Sequence, residues 1–539
     1  MQTATIVQGS ERLEPLTSVC EVRRVSRHLP SDLSEWLRGL ATTHGDRPAV
    51  VGERGTLTFA ALDASADRWA AALTAAGFGR GEHVGLLAGN GPEWLAVACG
   101  VWRAGATLVP ISTFVTAREL AEILEHADVS GLIVQPRLRS HDYLSMFEAL
   151  PHASRQREVI VLGEAAAPEH RAAAQFLDAA PGVASRAIDP NAIACILYTS
   201  GTTGTPKGVM LSHRAILATV LPTAERSGLN SADSLLSTLP LFWVAGLVIR
   251  ALPTLATGCA LIVVETFSIE VLLAALDRHR PTALHLRPPQ VGQVLAHPDC
   301  RPAFLANVRK GGGRAEWYAP HLSEARLITG YGMTEMAGYV TALDWRDPPA
   351  VLASQLGTPL PGVEVCIVDD AGRRCAAGEV GEIRVRGPGM FSGYYKQPRG
   401  TGLDDAGFFR TGDLGCIDAA GTFRFVGRSK DLLRVKGINV SPVEVESVLA
   451  AHTAVEAAYV VGVPPDGLEQ RLVALIVTKP GAATTTEALR AHAAVALSHY
   501  KRPEEYIFIE RGDVPLGATS KPQRATLAAL AMRRRPSDV

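Results

Sequence analysis

The sequence is poor in every feature that would tie it to a bilayer, to nucleic acid or to a resident transition metal. No stretch of the 539 residues is long and apolar enough to read as a membrane span. Residues 1–27 are mixed and polar, without the apolar core and positive flank of a secretion signal. A net charge of −1 offers no basic surface for nucleic acid or anionic lipid. The eight cysteines (Cys20, Cys99, Cys195, Cys259, Cys300, Cys366, Cys375, Cys416) contain no C-x-x-C pair, and the fifteen histidines show no ligand spacing. They read as free thiols in a reducing cytoplasm rather than zinc ligands or disulfides. The common nucleotide motifs are missing too. Lys207 follows Gly201 at the spacing of a P-loop, but Pro206 holds the second glycine's place and Gly208 the hydroxyl's. No Gly-x-Gly-x-x-Gly occurs.

What is present is ordinary globular composition, 47% hydrophobic and 20% charged, in a chain long enough for two to four domains. One stretch stands apart: Tyr198-Thr199-Ser200-Gly201-Thr202-Thr203-Gly204-Thr205-Pro206-Lys207-Gly208. It lies between two short apolar runs, Ile193 to Leu197 and Val209 to Leu211, so a strand, a loop and a return strand are predicted. Glycines let backbone N–H groups turn inward, hydroxyls add donors, and Lys207 adds mobile positive charge. The combination suits a polyphosphate.

Residues 1–30 show no periodicity and read as an extension. A helix is predicted from Leu33 to His44, short strands at Ala49–Val51 and Leu57–Phe59, and a helix from Ala60 to Ala76. From His83 strands and helices alternate: a strand at 83–87, a helix at 93–104, a strand at 106–111, a helix at 117–127, a strand at 131–134. That order predicts a largely parallel sheet covered by helices. Between Gly357 and Phe423, β-branched runs separated by Gly, Pro and Asp predict a small antiparallel subdomain or barrel. From Asp431 the pattern is that of a separate small α+β domain, with Ser441 capping a helix that Pro442 begins.

Two further motifs carry oxygen chemistry. Gly330-Tyr331-Gly332-Met333-Thr334-Glu335 sets a hydroxyl beside a carboxylate on a glycine-loosened turn, as a hard cation on phosphate requires. Arg410-Thr411-Gly412-Asp413 sets a carboxylate in a turn, and a ribose diol wants such a pair of acceptors.

The motifs at 198–208, 330–335, 410–414, 427–431 and 515–521, in this order, resemble those of the acyl-adenylate-forming superfamily, its acyl-CoA synthetase branch in particular. The resemblance runs from about Leu33 to Arg524. It implies an α/β fold: a large N-terminal domain (31–429) of two helix-covered, mostly parallel sheets with a small β-barrel subdomain (about 355–427), then a small mobile α+β domain (430–539). It implies that Thr199, Ser200, Gly201, Thr202, Thr203, Gly204 and Lys207 hold the phosphates of ATP. Glu335, with Thr199, would hold magnesium, and Thr334 would face the α-phosphate. Tyr331, Gly332 and Gly313 would lie at the adenine, Asp413 and Arg428 at the ribose, and Lys430 at the hinge. Gly311-Gly312-Gly313 resembles the family's Gly-Gly-Ala turn, although Arg314 follows where small residues are usual; a plain glycine turn fits equally. Leu239 to Leu247, with Trp243, Val244 and Gly246, resembles the wall of the acid pocket; many relatives carry His where Trp243 stands, and a purely core role for the indole fits too. Arg287 and Met336-Ala337-Gly338 fall on other pocket stretches. Lys521 keeps the place of the family's catalytic lysine, while Leu516, Gly517 and Ser520 depart from the usual Arg, Thr and Gly. Gly437 would line the passage for the thiol.

The implied reaction begins with attack of a carboxylate on the α-phosphorus of ATP, giving acyl-AMP and pyrophosphate. A thiol, that of coenzyme A, then takes the acyl group. The largely apolar pocket stretches point to a fatty, cyclic or aromatic acid. Three alternatives stay open: a ligase weak in adenylation that uses preformed acyl-AMP, an amide synthetase, and a nucleotide-binding sensor. Nothing resembles a coiled coil, and a homodimer is compatible with the sequence.

Overall fold

The computed structural model describes residues 30–150, 156–164, 170–179, 187–199, 207–318, 321–419, 421–428, 433–435, 438–464, 470–516 and 522–534. Two seven-stranded sheets dominate. In space the first runs Lys207–Ser212, Ile193–Thr199, Thr107–Pro110, His83–Leu87, Val129–Val134, Glu158–Val161, Arg171–Ala172. All of its pairings are parallel except the hairpin at its edge. The second runs Arg326–Ile328, Lys310–Gly312, Ala283–His285, Ser234–Ser237, Ala260–Val263, Pro48–Gly52, Gly55–Thr58, and only its last pair is antiparallel.

Burial of both faces follows from side-chain alternation. In the second sheet Leu235 and Leu261 belong to the large apolar cluster shared with the first sheet, while Leu236 and Ile262 point into a cluster on the opposite face. Helices Phe59–Ala75 and Pro92–Arg103 lie in the shared cluster, and they approach closely because Gly100 has no side chain to strike Trp69.

The predicted alternation of strand and helix is present, with the helix predicted at 117–127 found at Ala117–His126. Two expectations need correction. The strand predicted at Leu57–Phe59 runs instead over Gly55–Thr58, because Phe59 already starts the helix, with Thr58 accepting from Ala61 N as its cap. Gly311–Gly313 is no turn: Lys310–Gly312 is an inner strand between Ala283–His285 and Arg326–Ile328. The small β region is a meander of Glu364–Val368, Gly381–Arg386, Phe409–Ile417 and Phe423–Arg428, with no pair closing it into a barrel among the described residues. Four strands are too few to close around filled side chains.

The C-terminal part has its own apolar clusters, around strands Val455–Val463 and Arg471–Thr478. Helix Pro442–Ala450 is capped by Ser441 with Pro442 at its first position, as the sequence predicts. Ser441 Oγ also donates to the Val426 carbonyl, joining this part to the last strand of the meander. Among the described residues no helix is long and apolar enough to cross a membrane, and the seven cysteines within them are unpaired.

Candidate active site

Strand Ile193–Thr199 pairs antiparallel with Lys207–Ser212, and the register sets Thr199 directly opposite Lys207. The predicted hairpin therefore exists, and these two residues close its base. Ser200, Gly201, Thr202, Thr203 and Gly204, between them, lie outside the described residues, as do Lys430, Gly437 and Lys521.

The return strand is held on its other side by residues 392–395. Ser392 N donates to Met210 O (2.9 Å), Met210 N to Gly393 O (3.1 Å) and Tyr395 N to Gly208 O (2.8 Å). This backbone pairing delivers Tyr394 to the site. Lys207 Nζ stands 5.2 Å from the centre of its ring, a cation–π distance. The Tyr394 hydroxyl donates to Glu335 Oε1 at 2.8 Å. Burial, and then the Glu335 carboxylate, push that hydroxyl above its ordinary pKa. It stays protonated and keeps donating. Two motifs far apart in the chain are thus joined through a tyrosine. Sequence reasoning missed Tyr394, whose only signal is the Gly-Tyr-Tyr run it sits in.

Glu335 is on a single tight turn, Thr334–Met336, between antiparallel strands Gly330–Met333 and Gly338–Ala342. Phe391 N donates to the Glu335 carbonyl (2.8 Å), fixing the turn to the same segment that carries Tyr394. Met336 and Ala337 are fully buried in the main core, and Gly338 abuts Ile249. These three support the turn from beneath. A lone carboxylate flanked by hydroxyls suits magnesium, which keeps waters and substrate phosphates as most of its ligands.

On the nucleoside side, Asp413 and Arg428 are cross-strand partners, with Arg428 Nε 3.3 Å from Asp413 Oδ1. The Tyr331 hydroxyl donates to Asp413 Oδ2 at 2.7 Å. Its ring is buried and stacks on Phe425 at 5.7 Å and leans on Phe423 at 5.1 Å. The structure therefore brings Tyr331, Asp413 and Arg428 into one cluster, with one face of Tyr331 already covered. Gly332 is exposed beside it. Gly313 follows strand Lys310–Gly312 and lies against Trp317.

On the acid side, Trp243 is half-buried among Phe114 (6.0 Å), Phe242 (5.5 Å) and the Arg287 guanidinium (6.0 Å). Val244 and Gly246 begin the next helix, and a side chain on Gly246 would collide with the Pro240 carbonyl. The helix then widens into a π turn, Leu247–Ala251, a form often found at functional sites. Burial lowers the Arg287 guanidinium from its ordinary value.

The family model for AMP-binding enzymes matches residues 37–395, and that for the AMP-binding enzyme C-terminal domain matches residues 444–521. Sulfoacetate–CoA ligase of Cupriavidus necator is 33% identical over 483 residues, 87% of this chain and 92% of its own length. The anthranilate CoA ligase AuaEII in complex with anthranoyl-AMP superposes with a TM-score of 0.84 at 26% identity, over 94% of this chain and 99% of that one. The amide bond synthetase McbA from Marinactinospora thermotolerans gives a TM-score of 0.77 at 30% identity, over 92% and 99%.

Proposed function

The chain belongs to the AMP-binding enzyme family, and from that premise we propose that it is an AMP-forming carboxylic acid–CoA ligase using ATP, magnesium and coenzyme A. The observation that carries this is the union of Lys207 and Glu335 through Tyr394 at the base of the hairpin.

A carboxylate is a poor acyl donor because its leaving group would be oxide. Moving AMP onto it supplies a good leaving group. At the α-phosphorus two anions meet, so the protein's work is orientation and charge neutralisation. Lys207 and the hydroxyls from Thr199 to Thr203 receive the phosphates. Tyr394 fixes Glu335, Thr334 faces the α-phosphate, and magnesium, when bound at Glu335, neutralises phosphate charge. Asp413 accepts the ribose hydroxyls while Arg428 and Tyr331 hold it in place. Lys521 bridges carboxylate and α-phosphate, and its removal should cost roughly 100-fold in adenylation. The C-terminal part then turns about Lys430, bringing Gly437 to the incoming thiol.

The aromatic wall of Trp243, Phe114 and Phe242 supports an acid with a fatty, cyclic or aromatic body. Unpaired cysteines support a cytoplasmic setting. Carboxylate-dependent exchange of pyrophosphate into ATP, without thiol, tests the first half; synthetic acyl-AMP with CoA tests the second. Both should proceed, and Lys521→Ala should lose the first far more than the second. Conversion of acyl-AMP without exchange across a broad acid panel would replace this reading by one of an adenylation-impaired ligase. Likeness to an amide bond synthetase favours a second reading, transfer to an amine; replacing CoA by small amines tests it.

A further inference from the structure

Strand Ala283–His285 ends at a corner where helix Pro288–Ala296 begins. Successive residues there face opposite ways. Leu284 and Leu286 enter the apolar cluster on one side, so His285 and Arg287 face the other. On that side lies Arg250 from the π turn, with Trp243 against Arg287. Gly312, at the end of the adjacent strand, makes the space: a side chain there would collide with His285 and stand 2.5 Å from Arg250 Nη2.

The corner is rich in donors and short of acceptors. Arg250 is only 5% exposed. Its Nη2 donates to the Tyr339 hydroxyl at 2.9 Å, and its Nε has no partner. Arg287 Nε is buried without a partner. Gln290, 2% exposed, accepts at Oε1 from Thr238 Oγ1 (2.6 Å) and Arg287 N (2.9 Å), while its Nε2 is unpartnered. His285 Nδ1 also has none, and burial, then Arg250, keeps that imidazole neutral. Among the described residues no Asp or Glu forms an ion pair with Arg250 or Arg287. Buried guanidinium without a counter-charge is strongly unfavourable, and so is a buried donor without an acceptor. Tyr339, which accepts from Arg250, sits on the strand that leaves the Glu335 turn, so Arg250 is tied to the hairpin that carries Glu335.

We propose that the acid activated here carries, beyond the carboxylate that is adenylated, a second oxyanion that is received by Arg287, Arg250 and Gln290. Trp243 and Phe114 cover the carbon body between the two ends. The inference rests on the ligase reading and narrows its substrate class. A site built to pair a buried charge discriminates far more sharply than an apolar wall, because an acid lacking the group leaves those donors unpaired.

The test is pyrophosphate exchange by the full-length enzyme on matched acids: phenylacetate against its 4-carboxy and 4-sulfo derivatives, and hexanoate against adipate and 6-sulfohexanoate. The doubly anionic member of at least one pair should be preferred by tenfold or more in kcat/KM, and the carboxy and sulfo arms identify which oxyanion. Arg287→Met should shrink that preference at least tenfold, chiefly through KM. If singly charged acids exchange as well as their partners, or Arg287→Met leaves the ratio unchanged, the second-oxyanion inference falls and the ligase reading stands. If no acid drives exchange and acyl-AMP is not converted, the ligase reading fails and takes this inference with it.

Discussion

Tyr394 does the joining at the candidate site, and it can be tested with one atom. Phenylalanine at 394 keeps the ring beneath Lys207 and deletes only the hydroxyl that donates to Glu335. A hydrogen bond to a charged group is worth about 1.5–3 kcal/mol. Lost from a group that must hold metal against phosphate, this converts to a fall of roughly 10- to 100-fold in adenylation. Tyr394→Phe should therefore slow pyrophosphate exchange by that factor and raise the magnesium concentration needed for half-maximal rate. An unaltered magnesium dependence would leave Tyr394 a packing residue. Its role was not legible in the sequence because an uncharged Tyr-Tyr pair carries no chemical signature. Its position comes from main-chain bonds between residues 392–395 and a strand nearly two hundred residues earlier. Thr199, Lys207 and Glu335 could be singled out as candidates from the sequence because charge and hydroxyls in glycine-rich turns are costly to place without a purpose, and the structure sets Lys207 and Glu335 around one tyrosine.

At the scale of elements, two helices share a buried imidazole. Helix Leu33–His44 is capped by Asp32, and helix His213–Ser227 by Ser212. His213, at the first position of the second helix, accepts from Leu33 N at 3.4 Å. Burial holds its pKa down to about 4, with Asp32 and Asp189 opposing the shift. In the unfolded chain an imidazole titrates near 6.5. Above that value both states are neutral and the joint contributes fully. As pH falls from 6.5 to about 4, the unfolded chain takes a proton that the folded one refuses, so stability is lost across that window and no further below it. The melting temperature should decline over this range, and His213→Gln, which keeps an acceptor, should flatten the decline. Parallel pH profiles for the two proteins would remove His213 as the cause. Periodicity made helix Leu33–His44 readable to the residue. The glycines at 311–312 misled because glycine usually marks a turn. Here it makes space, and the neighbours that need the space, the Leu284 carbonyl beside Gly311 and His285 and Arg250 beside Gly312, are remote in sequence.

For the whole molecule, the alternation of strand and helix made the layered α/β class legible, but not the interleaving of the two sheets. Strands Pro48–Gly52 and Gly55–Thr58 precede the first sheet in the chain yet complete the second, with Val50 beside Leu261. No local pattern encodes a partner two hundred residues away. The same long-range logic governs the link between the large and small parts. At Gly427 an added Cβ would lie 3.8 Å from Ser441 Cβ, within the 3.5–4.5 Å span of a disulfide. Gly427→Cys with Ser441→Cys should therefore cross-link the described arrangement when oxidised. If adenylation and thioester formation require different placements of the C-terminal part, the oxidised protein should keep one half-reaction and lose overall CoA-ester formation by about tenfold or more, as expected when a gating motion is blocked. A reductant should restore turnover, and the reduced protein serves as the control for any strain at position 427. Full turnover in the oxidised state would mean that both half-reactions run from this one arrangement and that no domain motion separates them.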